Sequence, residues 1–84
     1  MAVTKSKIIA LNEIKLFQEF VDKAGDVDGE VLVQTGYYII NGKSVMGMIS
    51  IATALTKGVT VIYPADAHDF ELFLEEVEIQ KWKK

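Results

Sequence analysis

The chain has 84 residues, half of them hydrophobic and a quarter charged, with a formal net charge of −3, no cysteine and one proline, Pro64. That length implies a single domain over residues 1–84 with one modest core, and the composition excludes disulfides and cysteine-based metal or redox sites. The apolar runs fall short of the ~20 residues of a membrane span, no signal-peptide pattern opens the chain, and no basic stripe suits nucleic acid, so a cytoplasmic protein without membrane or nucleic-acid partners is expected.

Lys5 to Leu11 is short and β-branched and reads as the first strand, ending at Asn12, a good helix N-cap. From Glu13 to Ala24 the period changes: Ile14, Phe17, Val21 and Ala24 recur at helical spacing with Phe20 beside them, and Gly25 closes this amphipathic helix. Glu30–Thr35 and Tyr37–Ile40 read as two strands hinged at Gly36, with Asn41-Gly42 ending the second. Ser44 then caps a helix from Val45 to about Thr56, stopped by Lys57-Gly58. Val59–Tyr63 is a fourth strand ended by Pro64, and Asp66 caps a last helix from Ala67 to about Gln80. That helix buries Phe70, Phe73, Leu74 and Val77, with Leu72 to one side, and the lysines around Trp82 suit its negative C-terminus. The order βαββαβα predicts an α+β, two-layer open-faced sandwich: a four-stranded antiparallel sheet covered on one face by three helices.

Catalytic signals are sparse. His68, the only histidine, would need a partner and a pocket to act as a general base, and reads better as a surface residue. The glutamates of the last helix read as a solvated face, and the six glycines are spread among turns, with no phosphate loop. No cofactor or metal is implied. All nine basic residues are lysine, so no guanidinium can clamp a phosphate in bidentate fashion. The helix opened by Ser44 is apolar on two stripes: Val45, Met48, Ala52 and Leu55 form one, and Met46 and Ile49 begin the other. One stripe can face the sheet. The other, rich in methionine, suits an adaptable partner surface, and a phosphate on Ser44 would sit at the positive helix end.

The run KSVMGMIS at residues 43–50, followed by Lys57-Gly58, a strand and an acid-capped helix, resembles HPr, the small phosphocarrier family of the bacterial phosphoenolpyruvate-dependent sugar phosphotransferase system. The βαββαβα order resembles that family's open-faced sandwich over nearly the whole chain. The resemblance implies that Ser44 is a regulatory phosphorylation site of an HPr-type serine kinase and that Val45, Met46 and Ile49 dock protein partners. It also exposes a departure. The family carries glycine, an apolar residue, the phosphorylated histidine, a small residue, arginine and proline at its first helix, whereas this chain reads Asn12-Glu13-Ile14-Lys15-Leu16-Phe17-Gln18. Anchored on the first strand, Lys15 stands at the histidine position; anchored on Phe20-Val21 and Ser44, about two residues are missing and the histidine has no counterpart. Either way histidine, arginine and proline are lost, and a lysine does not accept and donate a phosphoryl group as a neutral imidazole does. A chain that keeps the serine and lacks the histidine resembles the Crh-like members, which are not enzymes or phosphocarriers. Those are read through the serine by a transcriptional regulator of carbon catabolite repression.

Strand alternation supplies one more expectation. With Ile8, Ala10, Val31, Val33, Tyr38, Ile40, Val61 and Tyr63 facing the helices, the other sheet face carries Ile9, Leu32, Ile39 and Ile62 with Tyr37 beside them, relieved only by Lys7, Gln34 and Thr60. Such a face suits a C2 homodimer packed sheet to sheet. The alternative is a facing off by one residue in two strands.

Overall fold

The computed structural model describes residues 3–79. In chain order the elements are β1 (Thr4–Ile9), α1 (Ile14–Gly25), β2 (Leu32–Thr35), β3 (Tyr38–Asn41), α2 (Val45–Ser50), α3 (Ala52–Lys57), β4 (Val59–Pro64) and α4 (His68–Val77). The architecture is α+β, an open antiparallel sheet of four strands in the order β1-β4-β2-β3. β2 and β3 are joined by a two-residue connection whose first residue, Gly36, has φ 57°, a left-handed value that glycine adopts without steric cost.

Alternation decides which sheet face is covered. Val33, Val59, Val61 and Tyr63 are buried, whereas Thr60 and Ile62, which alternate with the three residues of β4, are half-exposed. The core is completed from the helices by Phe20 and Ala24 of α1, Met48 and Leu55 of α2 and α3, and Phe70, Phe73 and Leu74 of α4. Three aromatic contacts tie the layers together: Phe20 meets Phe70 edge-on at 5.4 Å and Phe73 at 6.4 Å between ring centroids, and Tyr63 meets Phe70 at 5.9 Å.

β1 corrects the expected facing. Ile9 is fully buried and Ile8 is exposed, the reverse of the alternation expected from Ile8 and Ala10. The inward positions of β1 therefore include Lys5 and Lys7. This is tolerable because β1 lies at the sheet edge, where a long lysine stem can follow the apolar surface and carry its ammonium outward. Each amine finds a carboxylate of the last helix or its end: Lys5 Nζ lies 3.0 Å from Glu71 Oε2 and Lys7 Nζ 3.4 Å from Glu78 Oε1. The Tyr63 hydroxyl also donates to Glu71 Oε2, at 2.8 Å. The outer face is then built from two cross-strand rows, Ser6–Ile62–Leu32–Asn41 and Ile8–Thr60–Gln34–Ile39. Lys7 is absent from it, and Tyr37 lies in the connection between β2 and β3 rather than on the sheet. Tyr38 shares the inward parity of Ile40 and yet is exposed.

The helices depart from expectation at their ends. The N-cap of α1 is Glu13, with no side-chain capping bond, in place of Asn12, and its C-cap is Asp26 one residue after Gly25. The single helix expected over 45–56 is two. Ser50 Oγ donates to Gly47 O at 2.6 Å, the carbonyl that an unbroken helix would offer to the Ile51 N–H. Ile51 instead bonds Met48 O at 3.2 Å, with φ −115° and ψ 25°, and α3 restarts from its carbonyl through Leu55 N–H at 3.0 Å. The break turns Met48, Ile51 and Leu55 to the core and leaves Ala52, expected in the buried stripe, exposed. α4 begins at His68 after an Ala67 N-cap without a side-chain bond; Asp66 contributes its backbone carbonyl to His68 N–H rather than a capping carboxylate. It ends at Val77, where the chain turns extended along β1: Val77 O accepts from Ala10 N–H at 3.1 Å and Ile79 N–H donates to Ile8 O at 2.8 Å. The expectation for Lys81, Trp82, Lys83 and Lys84 lies outside the described residues.

Candidate partner-binding site around Ser44

Ser44 is positioned by the turn that leaves β3. Gly42 N–H donates to Val31 O at 2.6 Å, and Gly42 sits so close to Val31 that a Cβ would lie 2.7 Å from its Cγ1. Asn41 then holds both following residues, Oδ1 accepting from Lys43 N–H at 2.9 Å and the backbone carbonyl from Ser44 N–H at 3.0 Å. The Lys43 amine is committed to Val27 O at 2.6 Å, so the turn is tied to the loop after α1. With β-region backbone at φ −94° and ψ 114°, Ser44 Oγ accepts from Gly47 N–H at 3.1 Å. This is the N-cap geometry expected from sequence. Gly47 lets α2 approach β3: a Cβ there would lie 2.6 Å from Ile40 Cγ2.

On the side of α2 away from the sheet, the apolar residues after Ser44 stand in the open. Met46 is 76 % exposed, Ile49 53 % and Val45 48 %. Two shallow depressions extend this surface onto α1. One, of about 380 Å³, is lined by Phe17, Val21 and Val45 together with Gln18 and Asp22. The other, of about 200 Å³, includes Ile14, Phe17, Ala52 and Leu55. Ile14, Phe17 and Ala52 thus join a surface that the sequence reading did not give them, because their spacing places them in buried stripes. Only Ile14 carries a signal of its own, since a stripe's first residue lies at the helix end, where cover from the sheet runs out. Lys15 is exposed in the first turn of α1.

The other candidates lie elsewhere. His68 is exposed and lines a cleft of about 380 Å³ with Lys23, Asp26, Asp28, Asp66 and Asp69, sharing no residue with the α2 surface. Among the described residues no group of three or more His, Cys, Asp or Glu side chains could hold a metal ion, and no helix is long and apolar enough to cross a membrane. Of the residues expected on the outer sheet face, Leu32, Ile39 and Ile62 lie there and Ile9 does not.

Chemically, the arrangement offers a capping hydroxyl beside an apolar, methionine-bearing surface, suited to docking a protein and to reading a charge added at the serine. Fold and site together define an open-faced α+β protein with an exposed apolar helix around a capping serine. In comparisons with known proteins, no family model, no curated protein and no solved structure matches this chain.

Proposed function

We propose that the chain is an HPr-like regulatory protein of the Crh-like kind, cytoplasmic and non-catalytic. It docks protein partners through Val45, Met46 and Ile49 and is switched by phosphorylation of Ser44. The observation that carries this reading is the exposure of those three apolar residues immediately after a serine at a helix start. The element order and the KSVMGMIS run support the family resemblance. Lys15, at or near the place of the family's histidine, and the lack of arginine argue against phosphotransfer. The partners of this reading are an HPr-type serine kinase and a transcriptional regulator of carbon catabolite control in the setting of the sugar phosphotransferase system. Incubation with an HPr-type serine kinase and ATP should label the wild type and leave Ser44→Ala unlabelled. The general phosphotransferase enzyme with phosphoenolpyruvate should produce no phosphohistidine; label on His68 would overturn the reading.

A second reading is favoured by the bond from Gly47 N–H to Ser44 Oγ. In it Ser44 is only an N-cap, and the chain is a degenerate HPr-like assembly module working through a homodimer surface. Absence of kinase labelling selects this reading over the first.

A further inference from the structure

We propose that the outer sheet face is a self-association surface that takes a second copy of this chain across a twofold axis. The inference is independent of the Ser44 reading and supplies the surface on which the assembly-module reading depends.

Charge is the first argument. Moving Lys7 to the covered side leaves the two outer rows, from Ser6 to Asn41 and from Ile8 to Ile39, without a charged side chain, in a chain that is a quarter charged. The remaining outward pair of β1 and β4, Thr4 and Pro64, is itself uncharged, and acidic residues (Asp28, Glu30 and Asp66) begin only in the depression at that end of the sheet. A solvated antiparallel face ordinarily carries polar and charged residues in alternation with the core. A face meant for an oppositely charged partner would carry the complementary sign. In a twofold contact the residues nearest the axis meet their own copies, so an uncharged centre avoids like-charge contacts there. Each copy bears a net charge of −3, which makes the exclusion of charge from this face all the more necessary.

Shape and size agree. Ile39 is 60 % exposed and Ile8 47 %, at the two ends of one row, while Ile62 and Leu32 in the middle of the other are half-buried, giving an apolar arc around Thr60 and Gln34. Strands ~4.8 Å apart, with three outward residues on each of β1 and β4 and two on each of β2 and β3, make a face of roughly 300 Å² in projection, and more as accessible surface. Two such faces stacked ~10 Å apart form an aligned β-sandwich. Specific interfaces take about 800 Å² from each partner. This face is well below that, so the contact it supports is a weak, reversible, concentration-dependent dimer.

Sedimentation velocity over a concentration series tests the proposal. Thr60 and Gln34 are cross-strand partners near the middle of the face, so a charge at either lies close to its symmetry mate. The wild type should shift from monomer to dimer. Thr60→Lys and Thr60→Glu should each weaken the dimer by on the order of a hundredfold, with unchanged far-UV circular dichroism, and an equimolar mixture of the two should sediment as a dimer again. Gln34→Lys and Gln34→Glu, at an already exposed position, repeat the experiment should a Thr60 variant not fold. A wild type that stays monomeric, a dimer indifferent to these charges, or a mixture that stays monomeric would each overturn the proposal. Kinase labelling at Ser44 is a separate readout, so failure here is distinguishable from failure of the regulatory reading.

Discussion

Ser44 joins a structural and a functional role that substitution can separate. Ser44→Ala removes the acceptor of Gly47 N–H and should cost about 1 kcal/mol in urea denaturation, the usual loss on deleting an N-cap. Ser44→Asp keeps an acceptor, and its stability should return to within about 0.5 kcal/mol of wild type. A stability-neutral aspartate that nevertheless changes partner binding would isolate the regulatory role. Glu71 supports a different residue-scale expectation. Its carboxylate is held below its ordinary 4.5 by the bond from Lys5 and then by that from Tyr63. The folded state thus favours the ionised form. The stability it adds is fully present above 4.5 and is lost as pH falls through that value towards the lower folded one. Below pH 4.5 the wild type should lose stability more steeply than Glu71→Gln, measured by denaturant midpoints; parallel profiles would remove Glu71 from acid unfolding. Tyr63 responds in the opposite direction. Burial, reinforced by Glu71, raises its hydroxyl above the ordinary 10.0, so its share of stability is complete below 10.0 and declines above it.

At the scale of elements, the aromatic cluster couples α1 to α4. Phe20 is fully buried between Phe70 and Phe73. Phe20→Ala should therefore cost about 3–5 kcal/mol, against a total of roughly 4–13 kcal/mol for a domain of this length. Leu72→Ala, on the exposed side of α4, should stay within about 0.5 kcal/mol. Equal effects in urea titrations would show that the two helices are not joined through this cluster. The same elements show what the sequence discloses. The helices were legible because a stripe such as Phe70, Phe73 and Leu74 needs only local periodicity, and the Ser44 cap because capping spans three residues. β1 was not, because Lys5 and Lys7 share parity with Ile9, and their inward placement depends on carboxylates Glu71 and Glu78 more than sixty residues away. The break at Ile51 is not legible, because a hydroxyl bonding to one helical carbonyl leaves no mark on the apolar pattern. At the candidate site, Met46 and Ile49 were legible as one stripe too many for a single buried face. Ile14, Phe17 and Ala52 were hidden by periodicities that also describe a core.

At the scale of the molecule, a composition that is half hydrophobic is divided among a core, the α2 surface and the outer sheet face. The two surfaces lie on opposite layers. α2 packs through Gly47 on Ile40, which faces the helices, so a dimer formed through the sheet leaves both copies of Val45, Met46 and Ile49 free, and one dimer can engage two partner sites at once. Such an assembly must also show in its melting. A partner that binds only the folded chain stabilises it by mass action, by about 1.4 kcal/mol when it stands tenfold above its dissociation constant. For a domain of this size that corresponds to a rise of roughly 5–10 °C in the unfolding midpoint. The wild-type midpoint should climb with protein concentration across a series spanning the dissociation constant, while that of Thr60→Lys should stay level whatever its absolute value. The comparison uses the slope with concentration, so a small loss of strand stability from the lysine does not disturb it. A level wild-type midpoint would mean that the neutral face has no second copy to meet, and parallel slopes that the copies meet somewhere else.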